Sequence, residues 1–288
     1  MYKPVLAALL VVLFSQSLHA QEQSEQPIMA SLHPVALLIK SAWPNQKVEA
    51  LMQANQSPHD FSLRPSDLSR LQQAKGLVWS GAKFEPYLVE LASDKQQVDL
   101  SLLLSSHDSH AHDHGHDHGH NNESEVPHDP HYWLNPREIK HIISGVQKQF
   151  GLPEPSAFLS SYDAWLNVAK QQLKPHTGKG FVSFHDAFVD WVRYFNLSQL
   201  DKVTLHPEQP VGTRHLLNIR DILQSGEASC LFVEPQFKSR LVQRLTQGID
   251  IKQVNIDPLA SSFKINDANF LQYYNQLLER FSQCFRSN

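Results

Sequence analysis

Short apolar runs of strand composition alternate with amphipathic helical patterns along most of the chain, and this alternation restricts the fold more than any other feature. Leu77, Val78, Trp79 and Ser80 form one such run, preceded by Leu68, Leu71 and Ala74 at helical spacing. Residues 181–184 form another, followed by Ala187, Phe188, Trp191, Tyr194 and Phe195, and residues 231–233 and 254–256 supply two more. Strands separated by helices pair in parallel, because each crossover needs a long connection that covers the sheet face. The expected class is therefore α/β with mostly parallel sheets.

Local signals punctuate this pattern. Pro65 suits the first position of a helix, Asp67 its first turn and Gly76 its end, and everything before Pro65 reads as loop. Asn135, Pro136 and Glu138 form a helix start, and Ile139, Ile142, Ile143, Val146 and Phe150 mark one face of the helix that follows. After a break at Gly151, Pro153 and Pro155, a long helix is expected from about 156 to 174, with Phe158, Tyr162, Trp165, Ala169 and Leu173 at helical spacing. An uninterrupted helix of that length between two α/β segments suits a joint between two lobes. Phe270, Tyr273, Leu277 and Phe281 mark a final helix.

Residues 107–120 have a different character, with seven histidines (His107, His110, His112, His114, His116, His118 and His120) and three aspartates in fourteen positions. No core can be built from that composition, so a solvated, disordered loop is expected. Neutral imidazoles suit Zn²⁺, Cu²⁺ and Ni²⁺, and their alternating spacing implies several shallow, interchangeable sites.

Three further histidines share a context. His59 lies in S-P-H-D-F-S-L-R-P-S-D before a helix, His131 in D-P-H-Y-W-L-N-P before another, and His185 in F-V-S-F-H-D-A-F at a strand end. Ligands of open α/β sheets bind outside the carboxyl ends of strands, and three imidazoles with one further position match Zn²⁺. For the fourth position, Asp257 in V-N-I-D-P-L-A is the leading carboxylate, with Glu234 in F-V-E-P-Q-F and water as alternatives.

The N-terminus reads as a secretory leader: Lys3, then an apolar run from Val5 to Phe14, then a cut expected after Ala20. Removing twenty residues from 288 leaves 268, enough for one large or two medium domains. No cysteine follows the apolar run, which favours a freely soluble mature chain. A formal charge of −4 and the lack of a Lys/Arg cluster argue against nucleic acid as a partner. Cys230 and Cys284 are the only cysteines. In an oxidising compartment they favour a disulfide, worth about 4 kcal/mol for a loop of that length, with two buried thiols as the alternative.

The ordered set H-D-F-S-L-R-P-S-D, H-Y-W-L-N-P, F-V-S-F-H-D-A-F, F-V-E-P-Q-F and N-I-D-P-L-A resembles the ZnuA-type zinc-binding proteins, a branch of the metal-specific substrate-binding proteins of bacterial ABC importers. The resemblance implies that His59, His131 and His185 are metal ligands, that Asp257 matches a carboxylate used by many relatives, and that Cys230 and Cys284 pair. It also implies two (β/α) lobes joined by a rigid helix with the metal in the cleft: an N-terminal lobe over 26–152, a linker helix over 153–175 and a C-terminal lobe over 176–288. Manganese- and iron-binding relatives carry a carboxylate where this chain has His185, whose nitrogen favours zinc. Pro58 stands where some zinc relatives carry a glutamate, which excludes that ligand here.

The expected function is capture of Zn²⁺ in the periplasm by a monomer that is not an enzyme, with delivery to the membrane permease of an ABC zinc importer. Periplasmic zinc chaperones are further candidate partners, and His128, close to His131, is a candidate for delivery from the loop. His33 and His206 are expected to be structural or surface residues. Two other functions compete: a secreted zinc hydrolase, against which the lack of an H-E-x-x-H helix counts, and a zinc buffer or metallochaperone that docks no permease.

Overall fold

In a computed structural model, residues 26–108, 129–204, 210–237 and 240–286 are described. The expected leader over 1–20, the histidine-rich run from residue 109 onward, His128 and His206 lie outside the described residues. The described chain forms two four-stranded sheets, each wholly parallel. The first contains β1 (Ile28–Ala30), β2 (Val48–Ala50), β3 (Gly76–Trp79) and β4 (Gln96–Asp99) in the order β2-β1-β3-β4. The second contains β5 (Gly180–His185), β6 (Ser198–Thr204), β7 (Ala228–Val233) and β8 (Gln253–Asn255) in the order β6-β5-β7-β8. Both sheets thus place their first strand at the point where chain progression reverses direction, the place where doubly wound sheets open a crevice.

Helices cover the sheets: α1 (His33–Ala42), α2 (Pro65–Gln73), α3 (Val89–Ser93) and α4 (Leu100–Asp108), then α5 (Ile139–Phe150) on the first; α7 (Val189–Phe195), α8 (Thr213–Ser225) and α9 (Arg240–Thr246) on the second. The long α6 (Ser156–Leu173) runs between them, and α10 (Phe270–Phe285) closes the chain. The α/β class, the two lobes and the joining helix agree with expectation. Among the described residues no helix is long and apolar enough to cross a membrane.

Two local expectations fail. The segment ahead of Pro65 is not loop, because β1, α1 and β2 all lie within it. Seven of the ten α1 residues are buried, so packing on several sides erases the periodic polar face by which a helix is recognised. Gly76 does not end α2; that helix stops at Gln73 and Gly76 opens β3. A Cβ at Gly76 would meet the Gln96 carbonyl at 2.4 Å and the Phe150 ring at 2.5 Å, so the glycine permits a close approach of strand and helix.

By contrast α5 follows its pattern: Ile139, Ile142, Ile143, Val146 and Phe150 are all buried, each worth roughly 1.5–3 kcal/mol of burial. The Asn135 side chain accepts a hydrogen bond from the Arg137 amide at 3.0 Å, and the preceding turn delays the regular helix to Ile139. Gly151 ends it in the left-handed conformation, φ 62°.

One apolar core spans both lobes, joining β1, α1, α5, α6, β7 and α10 side chains. Buried and partly buried hydrogen bonds cross the same junction. Trp133 donates to the Pro258 carbonyl at 2.7 Å, Tyr274 donates to the Trp133 carbonyl at 2.6 Å, and Trp165 donates to Asn275 at 2.8 Å. His33 Nε2 donates to the Phe263 carbonyl at 2.8 Å, so it is a structural clasp. Cys230 on β7 and Cys284 on α10 form a disulfide with Cα atoms 5.3 Å apart, which ties the last helix to the second sheet.

Candidate metal centre

Each of the three histidines is set by local devices. His59 lies in the connection from β2 to α2, whose two ends Arg70 pins together: its guanidinium donates to the Ala50 and Leu51 carbonyls (3.0 and 2.6 Å) and to Asp67 (3.2 Å). Asp67 in turn accepts from the Arg64 amide at 3.0 Å, which caps α2. The His59 amide donates to Ser57 Oγ at 3.3 Å.

His131 enters a short 3₁₀ turn, Tyr132–Leu134. One oxygen of Asp129 accepts from the His131 amide at 2.9 Å and lies 2.5 Å from its Nδ1. That contact orients the ring and leaves Nε2 for a metal, the usual division of labour between a ligand imidazole and its carboxylate. Burial opposes a charge on His131, but the carboxylates of Asp129, Glu234 and Asp186 outweigh it, so its pKa is raised from the ordinary histidine value.

His185 is the last residue of β5 and is buried. Its Nδ1 faces the buried carboxylate of Glu234, which follows β7, at 3.5 Å. Asp186 beside it is engaged elsewhere, by Lys202 at 2.9 Å and Gln199 at 2.8 Å.

The structure brings His59, His131 and His185 together. One nitrogen from each lies within 4.8 Å of the others, and the ring centroids are 5.0–5.9 Å apart. Tetrahedral Zn–N bonds of about 2.0–2.1 Å put nitrogens roughly 3.4 Å apart, so small side-chain adjustments suffice to close the three around one ion. The donor set, all imidazole and largely buried, suits a borderline cation better than Mg²⁺ or Ca²⁺, which take oxygen ligands.

Asp257 does not join this group. Its carboxylate accepts from Gln236 at 2.6 Å and the Leu259 amide at 3.0 Å through one oxygen, and from the Ser261 amide and hydroxyl, both at 2.6 Å, through the other. It fastens the turn that presents the Pro258 carbonyl to Trp133 and Tyr273. Glu234, the alternative, is the carboxylate beside the cluster. Sequence reasoning missed Asp129, although an aspartate two residues ahead of a candidate ligand is a recognisable turn signal. Of the seven histidines in the run only His107 falls on described backbone, near the end of α4.

The fold and this cluster define a class: two parallel α/β lobes on a connecting helix, with a three-histidine group fed by both. The chain belongs to the ZnuA family, whose model, described as the periplasmic zinc-uptake complex component A, matches residues 28–284. It is 29% identical over 267 residues to the high-affinity zinc uptake system protein ZnuA of Yersinia pestis, covering 83% of this chain and 84% of that protein. The protein of the same name from Haemophilus ducreyi is 29% identical over 287 residues, covering 89% and 92%. A crystal structure of a zinc-bound ZnuA deletion mutant superposes with a TM-score of 0.72 over 91% of this chain and 99% of that one, at 19% identity.

Proposed function

We propose that this protein captures Zn²⁺ in the periplasm for high-affinity uptake, holding the ion with His59, His131 and His185 and releasing it to the permease of an ABC importer. The observation that carries the proposal is the convergence of three imidazole nitrogens within 4.8 Å from separate parts of the two-lobed fold. Family membership over residues 28–284 supports zinc as the cargo and the periplasm as the compartment. Glu234 or water fills the fourth position, and Asp257 serves the turn. The mature chain is a monomer without catalytic activity, exported by the leader over 1–20. Its N-terminal lobe is residues 26–152, its linker 153–175 and its C-terminal lobe 176–288. The histidines of 107–120 bind further zinc weakly, because a flexible segment must be ordered around each ion whereas the cleft ligands are held by the fold. The hydrolase reading gains no support from the family.

Competition with a zinc chelator tests the assignment. His185→Ala should lose the tight site while His141→Ala, a half-exposed residue of α5 outside the cluster, keeps it. Equal affinities in the two variants would overturn the assignment.

A further inference from the structure

The zinc site uses no charged group from the N-terminal sheet, yet that sheet buries one. Glu85 is 3% exposed and stands at the carboxyl ends of β1 and β3. One of its oxygens accepts from the Ser31 hydroxyl at 2.8 Å and the Ser80 amide at 2.6 Å; the other lies 3.4 Å from the Tyr87 hydroxyl. Burial raises its pKa above the ordinary carboxylate range against the pull of these donors. A buried carboxyl so held ties its own segment to both strand ends, and removing it would leave the Ser31 hydroxyl and the Ser80 amide without their acceptor. An anchor of this kind can have a role beyond the packing of its own sheet.

The segment that Glu85 anchors supplies one. Gly81 opens it with φ +98°, where a Cβ would meet Ser101 Oγ at 2.1 Å and Asp99 Oδ1 at 2.4 Å, so the turn is tightly seated. Its carbonyl accepts from the Phe84 and Glu85 amides at 3.1 and 2.9 Å. On one side of Glu85, the Phe84 ring meets Tyr132, the neighbour of His131, edge-on at 6.0 Å. On the other, the Tyr87 ring packs at 5.8 Å on Phe61, two residues beyond His59. One short segment therefore touches both connections that deliver N-terminal histidines, and a single buried carboxyl fixes it to two strand ends.

We infer that Glu85 is a positioning residue for metal binding, holding residues 81–88 so that Tyr87 and Phe84 set the approach of His59 and His131. The inference rests on the proposed three-histidine site. Glu85 touches no metal; it acts through two aromatic contacts.

The test uses the full-length mature protein, with Zn²⁺ affinity from chelator competition and the visible absorption of bound Co²⁺ as a report on coordination geometry. Glu85→Ala should weaken zinc binding about tenfold, the low end for loss of a group that orients a ligand, and alter the Co²⁺ bands. Glu85→Gln, which keeps an acceptor for Ser31 and Ser80, should restore both. Leu38→Ala, a buried change in α1 away from the cluster, should lower stability yet keep the wild-type spectrum. If Glu85→Ala does not fold, Tyr87→Ala decides, since it severs the Phe61 contact and should change the spectrum in the same way. Wild-type affinity and bands in Glu85→Ala, or in Tyr87→Ala where that variant decides, would overturn the inference. Loss of zinc in His59→Ala and His185→Ala alongside that result would leave the site reading standing, whereas unchanged binding in those two histidine variants would remove the site itself.

Discussion

The two lobes repeat one sheet topology but build their halves of the site differently. In the C-terminal lobe the proposed ligand is part of the sheet: His185 ends the reversal-point strand β5, and Glu234, just after β7, faces it at 3.5 Å. In the N-terminal lobe the equivalent strand β1 ends at Ala30, and the carboxylate after β3, Glu85, accepts instead from Ser31, the residue that follows β1. The proposed ligands there, His59 and His131, come from connections outside the strands. One half is thus held by strand pairing and the other by side-chain props: Arg70, Asp129 and the Glu85 segment. A strand residue cannot shift without breaking ladder hydrogen bonds, whereas a connection can open locally at lower free energy. The N-terminal half is the more adaptable and the C-terminal half the template.

The largest effect that sharpens this comparison is loss of the template ligand. His185→Ala should reduce zinc affinity by more than the roughly 10–100-fold typical of removing an orienting partner, and by more than His59→Ala. Isothermal titration of both variants checks the order, and a greater loss in His59→Ala would reverse the roles of the lobes.

Next come the carboxylates that orient the rings. Asp129→Asn and Glu234→Gln should each weaken binding by about 10–100-fold. They should differ in pH response. His131 has a raised pKa in the folded protein, so its proton stabilises the zinc-free fold below the unfolded value of about 6.5, and this contribution is lost as pH rises through the folded value. Zinc must displace that proton, so affinity should fall on acidification from a pH above about 6.5. Asp129→Asn should move the onset lower, and an unchanged profile would show that Asp129 does not govern His131.

The disulfide tests a different asymmetry. It lies wholly on the C-terminal side, where Cys230 and Cys284 close a loop with a separation of 54 residues. Changing both to serine should lower stability by about 4 kcal/mol in the chain-entropy treatment, read by chemical denaturation, while zinc affinity stays near wild type under folding conditions. A parallel collapse of affinity would mean that α10 also shapes the cleft.

The smallest expected effect belongs to Asp257. Its four hydrogen bonds serve a turn, so Asp257→Asn should change zinc affinity by less than about threefold, with most of its effect on stability. A loss matching that of His59→Ala would restore it as a ligand.

What the sequence made legible follows the same division. The helices α5, α6 and α10 were readable because each buries one stripe and wets the other, as Ile139, Ile142, Val146 and Phe150 show. The elements β1, α1 and β2 were not, because α1 packs on several sides and the two strands have three residues each, too few to display a period. The three clustered histidines stood out through residue type and placement beside helix starts and a strand end. Of their supports, Glu234 stood out only as a candidate fourth ligand and Glu85 not at all, since their contacts run between β5 and β7 or β1 and β3, which no spacing along the chain encodes. Asp257 shows the same limit: its position after a strand fits a ligand, while its bonds to Gln236, Leu259 and Ser261 are visible only in the fold.

The most direct test of a site shared between the lobes is a crystal structure of the zinc-loaded protein, lacking residues 107–120, with anomalous scattering recorded at the zinc edge. A single strong peak at about 2.0–2.1 Å from one nitrogen of each of His59, His131 and His185 is the predicted result. A peak held by ligands from one lobe alone, or one bound by Asp257 in place of any of the three, would contradict it.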